Sequence, residues 1–324
     1  MSTFGDGLYQ YGGVPVASAN LGYGKSFFVR PSTGSDSNKG STPSQAFKTL
    51  SRALEACVSG RGDTVYLIAQ GNSSASTTDY QSETLDWSKD LTHLIGVSDS
   101  PFIGSRARIG QLSSVLTIDT LFKVSGSGCL IDGISIFQGV AGSTATAPIA
   151  LEITGERNKI SNCQISGIGH ADMDVAGGRS LKITAGSENT IVGCFIGLDT
   201  IIRATSTTEC ELSGAATRNI FRDCMFEMYT SSSARLMFSI AAAMDRFTLF
   251  DSCIFNNVQN ISSATAATAV FNAASWNGNI LLRSPFANGF TNYTAADNSR
   301  LVALGFDGTA SGHLIGISQG IDVA

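Results

Sequence analysis

Apolar residues recur along this chain in a fixed relation to cysteine. An apolar side chain stands three positions before and two after each of Cys163, Cys194, Cys224 and Cys253, as in Ile160/Ile165, Ile191/Ile196, Phe221/Phe226 and Phe250/Phe255. The cysteines lie 31, 30 and 29 residues apart, and a fifth copy, residues 279–286, centres on Ser284, 31 residues after Cys253. An earlier copy, residues 129–136, centres on Gly133 with its downstream apolar residue shifted by one. Upstream of the centres run short alternations: Ile149, Leu151 and Ile153; Leu181 and Ile183; Cys210 and Leu212; Phe238 and Ile240. Alternation at every second residue predicts strands with one buried face.

A period near thirty with two or three short strands per repeat predicts a coil of stacked turns. Each turn buries its inner face only against its neighbours, so the architecture expected is an all-β parallel β-helix. Weaker turns near residues 65–69 and 94–97 bring the count to about eight, a rod roughly 40 Å long at a strand spacing of about 4.8 Å. The recurring cysteines would then stack as an internal ladder of small, soft side chains, a packing role. With seven cysteines and no Cys-x-x-Cys pair, neither a disulfide framework nor a metal site is expected.

The start of the chain breaks the period. Apolar residues at Ala46, Phe47, Leu50, Ala53, Leu54 and Cys57 have helical spacing, with Thr42, Pro43 and Ser44 as start signals and Gly60 as a stop. Such a helix would cover the open edges of the first turn. The expected organisation is an extended N-terminal arm (1–25), a first strand and capping helix (26–60), the β-helix (61–310) and a C-terminal tail (311–324). The arm is apolar at Phe4, Leu8, Tyr9, Tyr11, Val14 and Val16, so it is expected to dock on its own β-helix, a neighbouring subunit or a larger shell.

The residues Val29, Pro31, Gly34, Asp36 and Gly40, then Phe47, Thr49, Leu50, Ala53 and Leu54, then Gly62, Asp63, Thr64 and Val65, resemble the opening of right-handed parallel β-helix proteins of the pectate-lyase-like superfamily, particularly those of bacteriophages, and so imply a right-handed coil. With the repeats, the resemblance covers about residues 26–310. It implies the fold and leaves the function open, because this superfamily holds polysaccharide lyases, glycoside hydrolases, tailspikes and inert virion proteins.

Charge narrows the field. Only 15% of the 324 residues are charged, the net charge is −5, and Gly (35) far outnumbers Pro (6). Without a basic run, a nucleic-acid partner is not expected. No apolar stretch approaches the roughly 20 residues that span a bilayer, and the first residues lack signal-peptide character, so no membrane association and synthesis in a cytoplasm are expected. The stretch holding His170, Asp172 and Asp174 is where histidine and carboxylates crowd together. Carboxylates set roughly 5 to 10 Å apart can hydrolyse a glycoside, and Asp172 with Asp174 or Asp199 is the weak catalytic alternative to a plain solvated loop. His93 and His313 have no nucleophile beside them, and Trp87, Trp276, Phe286, Phe290 and Tyr293 read as core or subunit contacts before sugar platforms.

The resemblance and the arm together lead to the expectation of a virion structural protein of a tailed bacteriophage. The form expected first is a capsid decoration (cement) protein, a homotrimer on the major capsid protein, with no cofactor, no metal and no catalytic residues. A tailspike or tail-fibre component that binds or cleaves a host surface glycan is the alternative.

Overall fold

The computed structural model describes residues 10–11, 14–15, 24–69, 77–97, 107–259, 264–272, 276–294 and 300–304. Three parallel sheets of ten, eight and eight strands line a continuous coil. In a typical turn the chain passes through Leu130–Asp132 of the first sheet, Ser135–Phe137 of the second and Ile149–Ile153 of the third. It then returns to the first sheet at Lys159–Ser161, directly beside the strand it left. About seven turns result, close to the eight expected from the period. Phe4, Leu8, Tyr9, Val16, His313 and the tail 311–324 lie outside the described residues. Tyr11 and Val14 belong to a small antiparallel pair, Gln10–Tyr11 with Val14–Pro15.

The corners explain the short polar connections. Between the first and second sheets of six successive turns stands one left-handed residue each: Gly133, Asn162, Gly193, Asp223, Ser252 and Ser284. Its backbone N–H donates to the next turn, as from Asn162 to the Val192 carbonyl at 3.0 Å and from Asp223 to the Asp251 carbonyl at 2.9 Å. A polar or glycine residue tolerates this conformation, and the residue after it turns inward. That next residue is Cys163, Cys194, Cys224 or Cys253, each buried and each with Sγ 3.1–3.5 Å from the carbonyl oxygen two residues earlier. Burial holds the Cys194 and Cys253 thiols well above the ordinary thiol range.

Two outer copies of the repeat are centred differently from the sequence expectation. Ser284 occupies the left-handed corner of Ser252, because Asp251 pairs with Arg283 and Ile254 with Phe286. The position equivalent to Cys253 therefore falls to Pro285. At the other end Gly133 is the corner and Ile134, fully buried, takes the cysteine position. The spacing of the fifth copy hid a one-residue insertion within the turn, which only strand register reveals.

A second ladder runs before the first sheet. Asn158, Asn189 and Asn219 are buried, and each side chain bonds the backbone of the turn behind it twice, once as acceptor and once as donor. Asn189 Oδ1 accepts the Asn158 N–H at 2.9 Å while its Nδ2 donates to the Gly155 carbonyl at 3.1 Å. Such amides satisfy backbone groups at a tight corner that has no other partner.

The inner columns of the first and second sheets change from aliphatic to aromatic along the coil. The inner column of the first sheet reads Leu94, Ile131, Ile160, Ile191, then Phe221 and Phe250. That of the second reads Ile136, Ile165, Ile196, then Phe226 and Phe255. Phe221 and Phe250 stack with centroids 4.8 Å apart, Phe226 and Phe255 at 5.3 Å. Trp87, Trp276, Phe290 and Tyr293 are buried, whereas Phe286 is 61% exposed.

The cap differs from the helix expected between residues 44 and 57. A single 3-10 turn, Pro43–Gln45, is followed by an extended break, and the α-helix covers only Leu50–Ala56. Phe47 is drawn into the first sheet: its N–H donates to the Phe28 carbonyl at 2.8 Å and its carbonyl accepts from Arg30 at 2.9 Å. Tertiary pairing thus overrides helical periodicity there. The helix has its own signals, a Thr49 hydroxyl accepting the Arg52 N–H at 3.2 Å and the Lys89 ammonium donating to the Leu54, Glu55 and Cys57 carbonyls. Asp36 holds the approach to it, accepting the Lys48 and Thr49 N–H groups at 2.9 and 3.0 Å. Gly40 adopts φ +66°, and a Cβ there would lie 2.1 Å from the Phe47 ring.

Asp79 ends the inner column of the second sheet beneath this cap. It is buried and accepts the Leu50 N–H at 3.1 Å and the Gln81 amide at 2.6 Å. Burial pushes its carboxyl up to about 6, against these two hydrogen bonds. The folded state therefore binds a proton more tightly than the unfolded chain. Asp79 stabilises the fold below the ordinary carboxylate range and loses that contribution as pH rises through about 6. Asp79→Asn keeps an acceptor for Leu50 and removes the titration. Denaturant unfolding should show the variant gaining about 2–3 kcal/mol relative to wild type between pH 4 and pH 7. A constant difference across that range would place the pH dependence elsewhere.

Candidate functional site: an outer groove on the second sheet

Each three-residue strand of the second sheet points its middle residue inward and its flanking residues outward. The first outward column is Gln164, Phe195, Met225, Ile254 and Phe286; the second is Ser166, Gly197, Glu227, Asn256 and Asn288. An increasingly exposed apolar stripe thus runs beside a polar one, with Ile254 at 40% and Phe286 at 61% exposure.

The polar column is wired together. Asn288 Nδ2 donates to Asn256 Oδ1 at 2.8 Å, and Asn256 Nδ2 donates to Glu227 Oε1 at 3.0 Å. Asp199, in the connection leaving the preceding turn, joins Glu227, Asn256, Asn288, Val258 and Gln259 around an open groove of about 570 Å³. Burial and then the nearby Asp199 carboxylate raise the Glu227 pKa, while the Asn256 amide works against them. Gly197 lets its strand approach the backbone of the next turn closely. Its φ is +108°, and a Cβ would meet the Glu227 carbonyl oxygen at 1.8 Å.

The connection carrying Asp199 is anchored from inside. Arg203 and Glu209, each 1% exposed, pair through Nε and Oε2 at 2.9 Å. Arg203 also donates to the Ile201 carbonyl at 2.6 Å and, more weakly, to that of Leu198 at 3.4 Å. The Ser180 hydroxyl donates to the other Glu209 oxygen.

His170, Asp172 and Asp174 lie in a connection between the second and third sheets, around the 3-10 turn Ala171–Met173. His170 Nδ1 stands 3.3 Å from Asp172 Oδ2. Asp172 accepts the Gly142 N–H of the turn behind at 2.6 Å. Asp174 accepts the Ala204, Thr205 and Ser206 N–H groups of the turn ahead at 2.8–2.9 Å. The two carboxylates brace successive turns, and Asp119 does the same for Thr146 and Ala147. Asp199 lines the separate groove with Glu227. His93 is buried, its Nδ1 accepting the Leu130 N–H at 3.1 Å. Among the described residues, no three His, Cys, Asp or Glu side chains are arranged to hold a metal ion.

Sequence reading missed Glu227, Asn256 and Asn288, although a signal was present. The third residue after Cys163, Cys194, Cys224 and Cys253 is Ser166, Gly197, Glu227 and Asn256, the outward polar column itself.

No protein-family profile and no curated protein sequence matches the chain. Solved structures do. A pectin methylesterase from Aspergillus niger aligns with TM-score 0.53 and 16% identity over 94% of this chain and 93% of its own. A rhamnogalacturonan lyase gives 0.56 and 17% over 82% and 68%, and the pectate lyase Pel9A 0.55 and 14% over 92% and 74%. At such identities the likeness is one of fold, and the chain is a parallel β-helix of pectate-lyase-like architecture, a fold shared with polysaccharide-acting enzymes.

Proposed function

We propose that the protein engages a polysaccharide in the outer groove of the second sheet, as a tailspike-type component of a bacteriophage virion. The observation that carries this reading is the Asn288–Asn256–Glu227 column facing Asp199 beside the exposed Ile254 and Phe286. Linked amides and carboxylates offer donors and acceptors at the spacing of successive turns, and an apolar stripe offers a platform for a sugar ring's carbon-bound face. The solved structures of similar fold, named for pectin and rhamnogalacturonan, support a carbohydrate ligand. The opening segment's resemblance to phage β-helix proteins supports the virion setting.

On a glycan array the wild-type protein should bind polysaccharide spots, and Asn256→Ala with Asn288→Ala should lose that signal while keeping the wild-type circular dichroism spectrum. Equal binding by the double variant would remove the groove from the account.

A specific feature favours decoration of a capsid as the second reading. On the outer face of the first sheet Ile220, Leu249, Leu281 and Val302 stack in register as a half-exposed aliphatic stripe. Side-by-side packing in a trimer, or docking on the major capsid protein, would cover it. Copy number per virion separates the readings: hundreds of copies favour the shell, and a few to about twenty favour the tail.

A further inference from the structure

The groove's lining is one-sided in charge. Asp199 and Glu227 supply two carboxylates, Asn256, Gln259 and Asn288 supply amides, and Val258 completes the wall. The strands Ser135–Phe137, Gln164–Ser166, Phe195–Gly197, Met225–Met228, Ile254–Asn257 and Phe286–Asn288 contain no lysine or arginine. The nearby Arg203 is buried and committed to Glu209. Recognition of a sugar carboxylate or sulfate draws on arginine forks or lysine ammonium groups, and like charges brought together suppress binding. Hydroxyl and ammonium groups suit this lining, because carboxylates accept from both and amides exchange bonds with hydroxyls.

We infer that the groove selects uncharged or amino-sugar glycans and excludes polyuronates. This rests on the glycan reading above and adds its chemical class. Asp199 and Glu227 are the excluding pair. The amides of Asn256 and Asn288 are neutral toward charge, and the Ile254–Phe286 stripe takes a ring face from any of these sugars. Selectivity therefore resides in the two carboxylates and general affinity in the amides and the stripe.

The test is calorimetric titration of the full chain with matched hexasaccharides of glucan, chitosan and galacturonate, at low and high salt. The glucan or chitosan hexamer should bind at least ten-fold tighter than the galacturonate hexamer, and salt should shrink the gap. Asp199→Asn with Glu227→Gln should raise galacturonate affinity several-fold and weaken chitosan binding, whereas Phe286→Ala should weaken every binder alike. Galacturonate binding as tight as that of the uncharged hexamers overturns the charge assignment and leaves glycan engagement standing. Binding of none of the three overturns both.

Discussion

Glu209→Gln is expected to destabilise the protein by about 3–5 kcal/mol, the usual cost of leaving one member of a buried ion pair uncompensated. Glu209 receives Arg203 on both oxygens, on Oε2 at 2.9 Å and on Oε1 at 3.3 Å, and Ser180 on Oε1, in a site that water does not reach. A neutral amide leaves the Arg203 guanidinium charged and buried, and Arg203→Met strands Glu209 in the same way. The double variant Arg203→Met with Glu209→Gln should recover most of the loss, since neither buried charge then remains to be compensated. Denaturant unfolding of the two single variants and the double variant measures this directly. Additive losses would show that the two residues act independently. The same variants should disturb the groove, because Arg203 fastens the connection that carries Asp199.

Phe238→Ala should cost a similar amount, about 3–5 kcal/mol, for a different reason. Phe238 is the hub of the aromatic interior, with ring centroids 4.9 Å from Phe226, 5.0 Å from Phe250, 5.7 Å from Phe271 and 5.8 Å from Phe221. Truncation opens a cavity that flat, mutually stacked rings fill poorly, and it removes edge-to-face contacts with three of those neighbours. Phe238→Leu should lose less than half as much. The equivalent position one turn earlier is Cys210, whose inner neighbours Ile191 and Ile196 are aliphatic. A loss below about 1 kcal/mol for Phe238→Ala, by the same unfolding measurement, would mean that the core collapses around the gap.

The coil was legible because its cause is periodic. A cysteine after a left-handed corner and apolar residues flanking it recur at nearly constant spacing, and such a signal survives without any knowledge of contacts. The ends of the repeat were harder to read. Ser284 and Gly133 resemble centres by count, yet strand register makes them corners. The cap was half legible: helical spacing from Ala46 onward was real in the sequence, but Phe47 is taken by hydrogen bonds to Phe28 and Arg30.

The groove was the least legible part, for a physical reason. Glu227, Asn256 and Asn288 sit about thirty residues apart, and no local motif links them. They meet only because successive turns stack, whereas His170, Asp172 and Asp174 draw attention by being adjacent in sequence. Adjacency there serves the corners, since Asp172 and Asp174 hold backbone N–H groups of neighbouring turns. In a stacked coil, chemistry is assembled at the repeat period rather than at the next residue.

The most direct test of the account is hydrogen–deuterium exchange on the full chain with and without a saturating oligosaccharide taken from the array. Glycan engagement in the groove predicts slowed exchange in Met225–Met228, Ile254–Asn257 and Phe286–Asn288 and around Asp199, with the first sheet unchanged. Protection confined to the first sheet, or to the connection around His170, would contradict it.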